Sequence, residues 1–429
     1  MSQCQTWWPH PLGLLNICKF PSSHPPRTMT TEHIATQRFR EFLRIDTSHP
    51  KPDYAKCAVF LEKYAKELDL SFQTIECVKG KPAHVLTWVG SNPSIPAIML
   101  NCHTDVVPVS RDKWTHDPFA ADKAENGDIF ARGSQDMKCV GIQYMEAIRR
   151  MKASGSKPQR TLHVVFTPEE EVAGIDGMKL LVHSQEFKKL NIGFALDEGL
   201  ANPEDHYKLF YGERAPWWLT LTARGKAGHG SQLMEPTATV RLVRTLNKFL
   251  AFRESESRRL KIGKKPDGSS FLLGDVTSTN VTILKGGVQH NVVPEEASAG
   301  VDIRIAPNVN LEAFKKQLED WCREDEIEIE YVSTFWDNTT TATDDSNKWW
   351  TALKSVADKR NVKLDLEIFP AATDSRFIRE IGIPAFGISP MRNTPILLHD
   401  HDEFLNEKVF LEGVDFYTDL IPVLADVKA

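Results

Sequence analysis

Histidine and carboxylate residues stand directly after five apolar or strand-like segments of this 429-residue chain. His103-Thr104-Asp105 follows "AIMLNC", Asp136 follows "IFARGSQ", and Glu169-Glu170-Glu171 follows "TLHVVFTP". Glu198 follows "IGFALD", and His399-Asp400-His401 follows "PILL". Imidazole and carboxylate together suit zinc or a similar divalent ion. Five or so such groups exceed what one tetrahedral ion with an open position takes. They fit two ions roughly 3.5–4 Å apart that share one carboxylate. Asp105, two residues after His103, is placed to hold that imidazole in one tautomer. One acid of the Glu169–Glu171 run can stay off the metals and serve as a general base. Each group also has a plain reading: an isolated His-x-Asp is common, an acidic run favours a helix N-terminus, and "HDHDE" reads as a polar loop. Their joint occurrence after apolar segments favours chemistry.

Convergence requires those segments to be strands of one sheet, because reactive groups of open α/β sheets gather at the strands' carboxyl ends. The pattern supplies this. "HVLTWVG", "AIMLNC", "TLHVVF" and "IGFALD" read as strands, with helices over about 141–151 and 178–183. The alternation returns late, with a helix over about 349–359, "LDLEIF", a helix near 376–380, "PAFGI", and a last helix from about 408. Alternation of this kind predicts an α/β fold, a doubly wound and mainly parallel sheet. Between the blocks the texture changes to alternating strands ("WWLTLTARG", "NVTILKGG", "ASAGVDIRI") and two helices, over about 237–253 and 311–322. "RESESRRLKIGKKPDGSS" between them reads as a solvated loop. The expected organisation is a catalytic domain at 29–211 and 337–429, interrupted by a smaller α+β domain at 212–336.

The length suits two domains. With 41% hydrophobic and 26% charged residues the composition is globular. A formal charge of −6 argues against general nucleic-acid binding, and no apolar run nears the roughly 18 residues a membrane span needs. The seven cysteines are scattered with no C-x-x-C pair, which points to reduced thiols and a cytoplasmic location. Residues 1–28 lack helical patterning and read as a disordered extension. A helix is expected after Met29, capped by Thr30 or Thr31, with Ile34, Phe39, Phe42 and Leu43 on one face.

"LNCHTDVVPV", "ARGSQDMKC", "TPEEEVAG", "FALDEG" and "LLHDHDE", in this order, resemble the aminoacylase-1 branch of the co-catalytic zinc exopeptidases. "YGERAPWWLTLTARGKAGHGSQ", "GGVQHNVVP" and "FPAATDSRFIR" are similar too, so the resemblance runs from about 34 to 424. It implies hydrolysis of N-acyl-L-amino acids with two zinc ions per subunit. His103 and Glu198 would hold one ion and Glu171 and His399 the other, with Asp136 shared. Glu170 would be the general base and Asp105 would orient His103. The resemblance selects His399 over His401, and Glu198 over Asp197. It further implies a homodimer formed through the inserted lid domain, in which His229 reaches the partner's site to hold the oxyanion. Asn291 would lie near the substrate, and Arg376 would grip its α-carboxylate. Arg304 sits on a strand and reads as structural. A dipeptidase or carboxypeptidase on the same scaffold is the nearest alternative.

Overall fold

The structure is a computed structural model and describes residues 32–428. The expectations for residues 1–28 and for Thr30 and Thr31 fall outside these. An eight-stranded sheet carries the site. Its order is Ser71–Val78, Lys81–Trp88, Leu162–Thr167, Ala97–His103, Ile192–Asp197, Ala385–Ile388, His206–Glu213 and Lys363–Phe369. The four strands from Leu162–Thr167 to Ala385–Ile388 run parallel. Antiparallel pairing begins on either side of them, so the sheet is parallel through its centre.

Strand residues alternate between the two faces of a sheet, and both faces here are apolar. Ile98, Leu100 and Cys102 point to one side with Leu162, Val164, Phe166, Phe194 and Leu196. There they meet the helices Ile34–Leu43, Tyr54–Glu67, Lys138–Ala153, Lys348–Lys359 and Glu407–Ala425. Met99, Val165 and Ala195 point to the other side, against Met178–His183 and Ser375–Glu380. A sheet covered on both faces has no solvent-facing period, which is why its central strands read as unbroken apolar runs.

Helix starts are set by side-chain caps. Asp53, Thr237 and Asn347 each accept a main-chain N–H of the first turn that follows. The first helix buries Ala35, Thr36, Phe39, Phe42 and Leu43, whereas Ile34 at its start is exposed. The helix Tyr54–Glu67 and the strands Ser71–Val78, His206–Glu213 and Ile327–Thr334 were not legible in the pattern.

A second, antiparallel sheet has the order Ser278–Gly286, Glu296–Ile305, Ala215–Arg224, Ile327–Thr334. It packs on the helices Ala238–Ile262 and Leu311–Glu324 around Trp217, Leu221, Phe249, Ile303, Phe314 and Leu318. Its residues fall between the main-sheet strands ending at Glu213 and starting at Lys363. The expected loop from Arg253 is helical as far as Ile262. Its Arg, Glu and Leu residues are good helix formers, and polarity alone breaks no helix. The first breaker is Gly263, whose N–H closes the end on Arg259 O. Glu256 fixes the extension by accepting Thr277 N–H at 2.7 Å.

Candidate metal centre

His103 ends a fully buried strand and pairs in register with Thr167. Its Nδ1 meets the Asp105 main-chain oxygen at 2.8 Å, which turns Nε2 toward Asp136 Oδ1 at 2.9 Å. Glu198 Oε2 lies 3.7 Å from the same Nε2. The expected orienting contact of Asp105 is thus made by its carbonyl, while its carboxylate is 3.8 Å from Nδ1. That carboxylate is engaged elsewhere: it accepts the N–H groups of Glu170 and Glu171, at 3.2 and 3.1 Å, and meets His49 Nε2 at 2.9 Å.

Asp136 Oδ2 lies 3.2 Å from His399 Nε2, which is 3.0 Å from Glu171 Oε2. Donor atoms of His103, Asp136 and Glu171 come within 4.8 Å of one another, and so do those of His103, Glu170 and Glu198. His401 is exposed and its main-chain N–H donates to Asp400 Oδ1 at 2.8 Å, so of the two histidines His399 is the one that meets the carboxylates. Asp197 is turned away, accepting from Asn101 Nδ2 at 3.0 Å and Ser375 Oγ at 2.8 Å.

Two loops are tied together beneath these donors. Buried Glu403 accepts from Arg132 Nη1 at 2.7 Å and from the N–H groups of Gly133 and Gln135 at 3.2 and 2.6 Å. This bond set joins the segment leading to Asp136 with the loop that carries His399. The acidic run is likewise fixed. Glu169 accepts from Tyr54 Oη at 2.9 Å and pairs with Lys81 Nζ at 2.7 Å. Gly387 permits another close approach, because a Cβ there would sit 2.2 Å from the Glu198 carbonyl oxygen.

His229 and Asn291 are brought together on one ribbon. The short ribbon Gly228–His229 pairs with Val292–Val293, and Gly230 N–H bonds Asn291 O at 2.8 Å. Both side chains are exposed, and the His229 ring meets Ser231 Oγ at 2.7 Å. Arg304 pairs with its neighbour Asp302 at 2.9 Å. Arg376, expected to grip a substrate carboxylate, is held by main-chain oxygens of two turns. The side chain is 5% exposed, with Nη1 bonded to Thr373 O at 2.9 Å and Nη2 to Ala173 O at 2.6 Å. It braces the turn that follows Glu171. His49, Tyr54 and Lys81 were missed, because "HPKPDY" carries no strand-end signal and their contacts are tertiary.

Residues 99–422 match the peptidase family M20/M25/M40. Over 399 residues the sequence is 51% identical to aminoacylase-1 of Mus musculus, covering 92% of this chain and 97% of that one. The chain belongs to the M20/M25/M40 family, in its aminoacylase-1 branch. The fold agrees. An M20 metallo-carboxypeptidase from Sulfolobus solfataricus superposes with a TM-score of 0.72 at 16% identity, over 92% of this chain and 99% of that one. A dinuclear metal-binding M20 peptidase from Bacillus subtilis superposes with a TM-score of 0.64 at 13% identity, over 92% and 99%.

The donor set of this M20 chain fits two divalent cations by charge. Four carboxylates, of Asp136, Glu170, Glu171 and Glu198, crowd against two imidazoles. Burial and mutual repulsion push Glu170, Glu198 and Glu171 above the usual carboxylate range. Burial works against Asp136 as well, but hydrogen bonds to His103 and His399 hold it below that range. Burial also opposes charge on His103, yet Glu198 and Asp136 raise it well above an ordinary histidine. His399 is raised to about 10, first by its hydrogen bonds to Asp136 and Glu171. With both imidazoles neutral, four carboxylates balance two divalent ions.

Proposed function

We propose that this M20-family enzyme hydrolyses N-acyl-L-amino acids to a carboxylic acid and a free L-amino acid, using two zinc ions per subunit. N-acetylated aliphatic and methionine-like residues are the expected substrates. The observation that carries the reading is about 50% identity to aminoacylases along nearly the whole chain, with every donor of the cluster present.

In this reading His103 and Glu198 would hold one ion and Glu171 and His399 the other, with Asp136 shared between them. When bound, the metals polarise the scissile amide carbonyl and lower the pKa of the attacking water. Glu170, which stands beside His103 and Glu198 without being assigned as a ligand, takes the proton of that water. It then returns the proton to the leaving nitrogen, and the amine departs. Asp105 holds Glu170 by its main chain, and Glu403 holds the loops of Asp136 and His399 in register. Arg376 braces the Ala173 turn.

The oxyanion donor comes from a second copy. His229 and Asn291 stand exposed on a short two-stranded ribbon, and Leu233, Val288 and Leu284, near them in sequence, are exposed apolar side chains. We therefore take residues 212–336 as a lid and dimerisation domain that delivers His229 to a partner's cluster. We place the enzyme in the cytoplasm, in keeping with free thiols at Cys57, Cys77, Cys102, Cys139 and Cys322. No helix among the described residues is long and apolar enough to cross a membrane.

Metal analysis with a substrate panel tests the reading. Two zinc ions per chain are expected, with N-acetyl-L-methionine cleaved faster than dipeptides. Faster cleavage of dipeptides would make the enzyme a dipeptidase on the same scaffold.

A further inference from the structure

The Glu170–Glu171 turn is held from outside the donor set. The segment Thr47–His49 runs beside Thr104–Val106. Thr47 Oγ1 donates to Thr104 O at 2.6 Å, Val106 N–H to Thr47 O at 3.1 Å, and His49 N–H to Val106 O at 3.1 Å. The His49 backbone is therefore fixed on the strand end that carries His103 and Asp105. Its side chain is 11% exposed, and its Nε2 lies 2.9 Å from Asp105 Oδ2. Asp105 is fully buried, and it gathers Glu170 N–H on Oδ1 at 3.2 Å and Glu171 N–H on Oδ2 at 3.1 Å.

The turn needs such support. Glu169 (φ 69°) and Ala173 (φ 80°) bracket it in left-handed conformations, each costing a residue with a Cβ about 1 kcal/mol or more. Glu169 is fastened by Tyr54 and Lys81, and Ala173 by Arg376. Between these points Asp105 is the side-chain acceptor for the two reactive residues. His49 is the side-chain donor that fixes Asp105.

We propose that His49 is a positioning residue for hydrolysis: by donating to Asp105 it fixes the carboxylate that gathers the Glu170 and Glu171 main chain, and so aims the Glu170 base. The inference rests on the hydrolase reading above. The chemistry is demanding of geometry, since a displacement of about 1 Å at a reacting group can cost 10²-fold in rate. The electrostatics agree. The Asp105 hydrogen bond raises His49 above an ordinary histidine, against burial, and Glu169 and Glu171 add to it. A carboxylate can only accept, so the ring nitrogen facing Asp105 is the donor.

The test uses the full-length zinc-loaded enzyme and N-acetyl-L-methionine at saturating zinc. His49→Ala lowers kcat about 10–100-fold, leaving KM within about twofold and zinc content unchanged. His49→Gln can still present an N–H donor to Asp105, and it recovers most of the lost turnover. In a Glu170→Gln background, His49→Ala costs little more, because both changes remove one function. Thermal melting checks that each variant is folded; a lower Tm with unchanged kcat is the mark of a merely structural residue and overturns the proposal. So does equal loss of kcat in the Ala and Gln variants, or a fully additive loss with Glu170→Gln. An unaltered enzyme without turnover overturns the hydrolase reading and this inference with it. An active enzyme whose His49→Ala variant keeps kcat within about twofold overturns the inference alone.

Discussion

Glu403→Gln isolates the scaffold of the site from its chemistry. The Glu403 carboxylate is fully buried and accepts from Arg132 Nη1, Gly133 N–H, Gln135 N–H and Ser134 Oγ, at 2.7, 3.2, 2.6 and 3.3 Å. Glutamine keeps the shape but replaces one acceptor oxygen by an N–H₂ group facing donors. It also leaves Arg132, 3% exposed and stacked over Trp114, without its countercharge. Removing one partner of a buried ion pair costs about 3–5 kcal/mol, a large share of the roughly 5–15 kcal/mol that holds a typical domain. Because the same bonds hold the segments of Asp136 and His399, zinc affinity falls as well, by about 10–100-fold. Urea unfolding of the metal-free protein reads the first effect, and zinc titration against a competing chelator reads the second. Adding Arg132→Met removes the stranded charge, so the double variant recovers part of the stability. A loss below about 1 kcal/mol with unchanged zinc affinity refutes the argument that this pair joins the two loops.

Glu170→Gln lowers kcat about 10²–10⁴-fold with zinc content unchanged; near-normal turnover removes Glu170 from the role of base. His229→Ala and Glu170→Gln are each inactive alone, and mixing them restores partial activity through heterodimers with one intact composite site. Heterodimers shown to form, yet without recovery, argue against a shared site. Acid weakens the fold through His84 and His163, both buried and lowered by that burial to about 4. Below about pH 6.5 the unfolded chain takes up protons that the folded chain refuses. Stability present above that pH is therefore lost as the pH falls toward 4, by up to roughly 3 kcal/mol for each histidine. His163→Gln flattens the decline of the urea midpoint between pH 7 and 5, and an unchanged slope refutes the assignment.

The sequence spoke most clearly where burial is complete. Ala97–His103 and Leu162–Thr167 are buried at every residue, so each appears as an apolar run with its functional group just past the end. The edge strand Ser71–Val78 is largely exposed and has no such signature. The long helix ending at Ile262 was cut short because charge was taken for a loop signal. At the site, His103, Glu170, Glu171 and Glu198 stand just past buried strands as expected, whereas "PILL" forms no strand and Asp136 follows the short strand Asp128–Phe130 of a separate three-stranded sheet, so His399 and Asp136 are delivered by loops. The engagements of Arg376 and His49 were not legible, because they depend on which main-chain groups the fold brings alongside. Arg376 meets Ala173, some 200 residues earlier, through the packing of its helix against the turn.

Sequence proximity also hides the division of labour among the acids. Asp105, Glu169, Glu170, Glu171, Asp197 and Glu198 lie at or just past strand ends, and Asp136 and Asp374 lie in loops before helices. Four of them are bound by protein donors. Asp105 is held by His49 and two main-chain N–H groups, and Glu169 by Tyr54 and Lys81. Asp197 is held by Asn101 and Ser375, and Asp374 Oδ2 by Thr167 at 2.8 Å. The remaining four face His103 and His399. Carboxylates crowded together in a buried site are costly unless they meet a cation. The fold therefore sorts chemically identical side chains by what it places opposite them: donors of the surrounding scaffold fix one half as structure, and the other half, crowded on two imidazoles, forms a site whose charge suits two divalent ions. In the run Glu169-Glu170-Glu171, the left-handed turn at Glu169 makes that division between adjacent residues, sending the first acid to Tyr54 and Lys81 and the next two to the cluster.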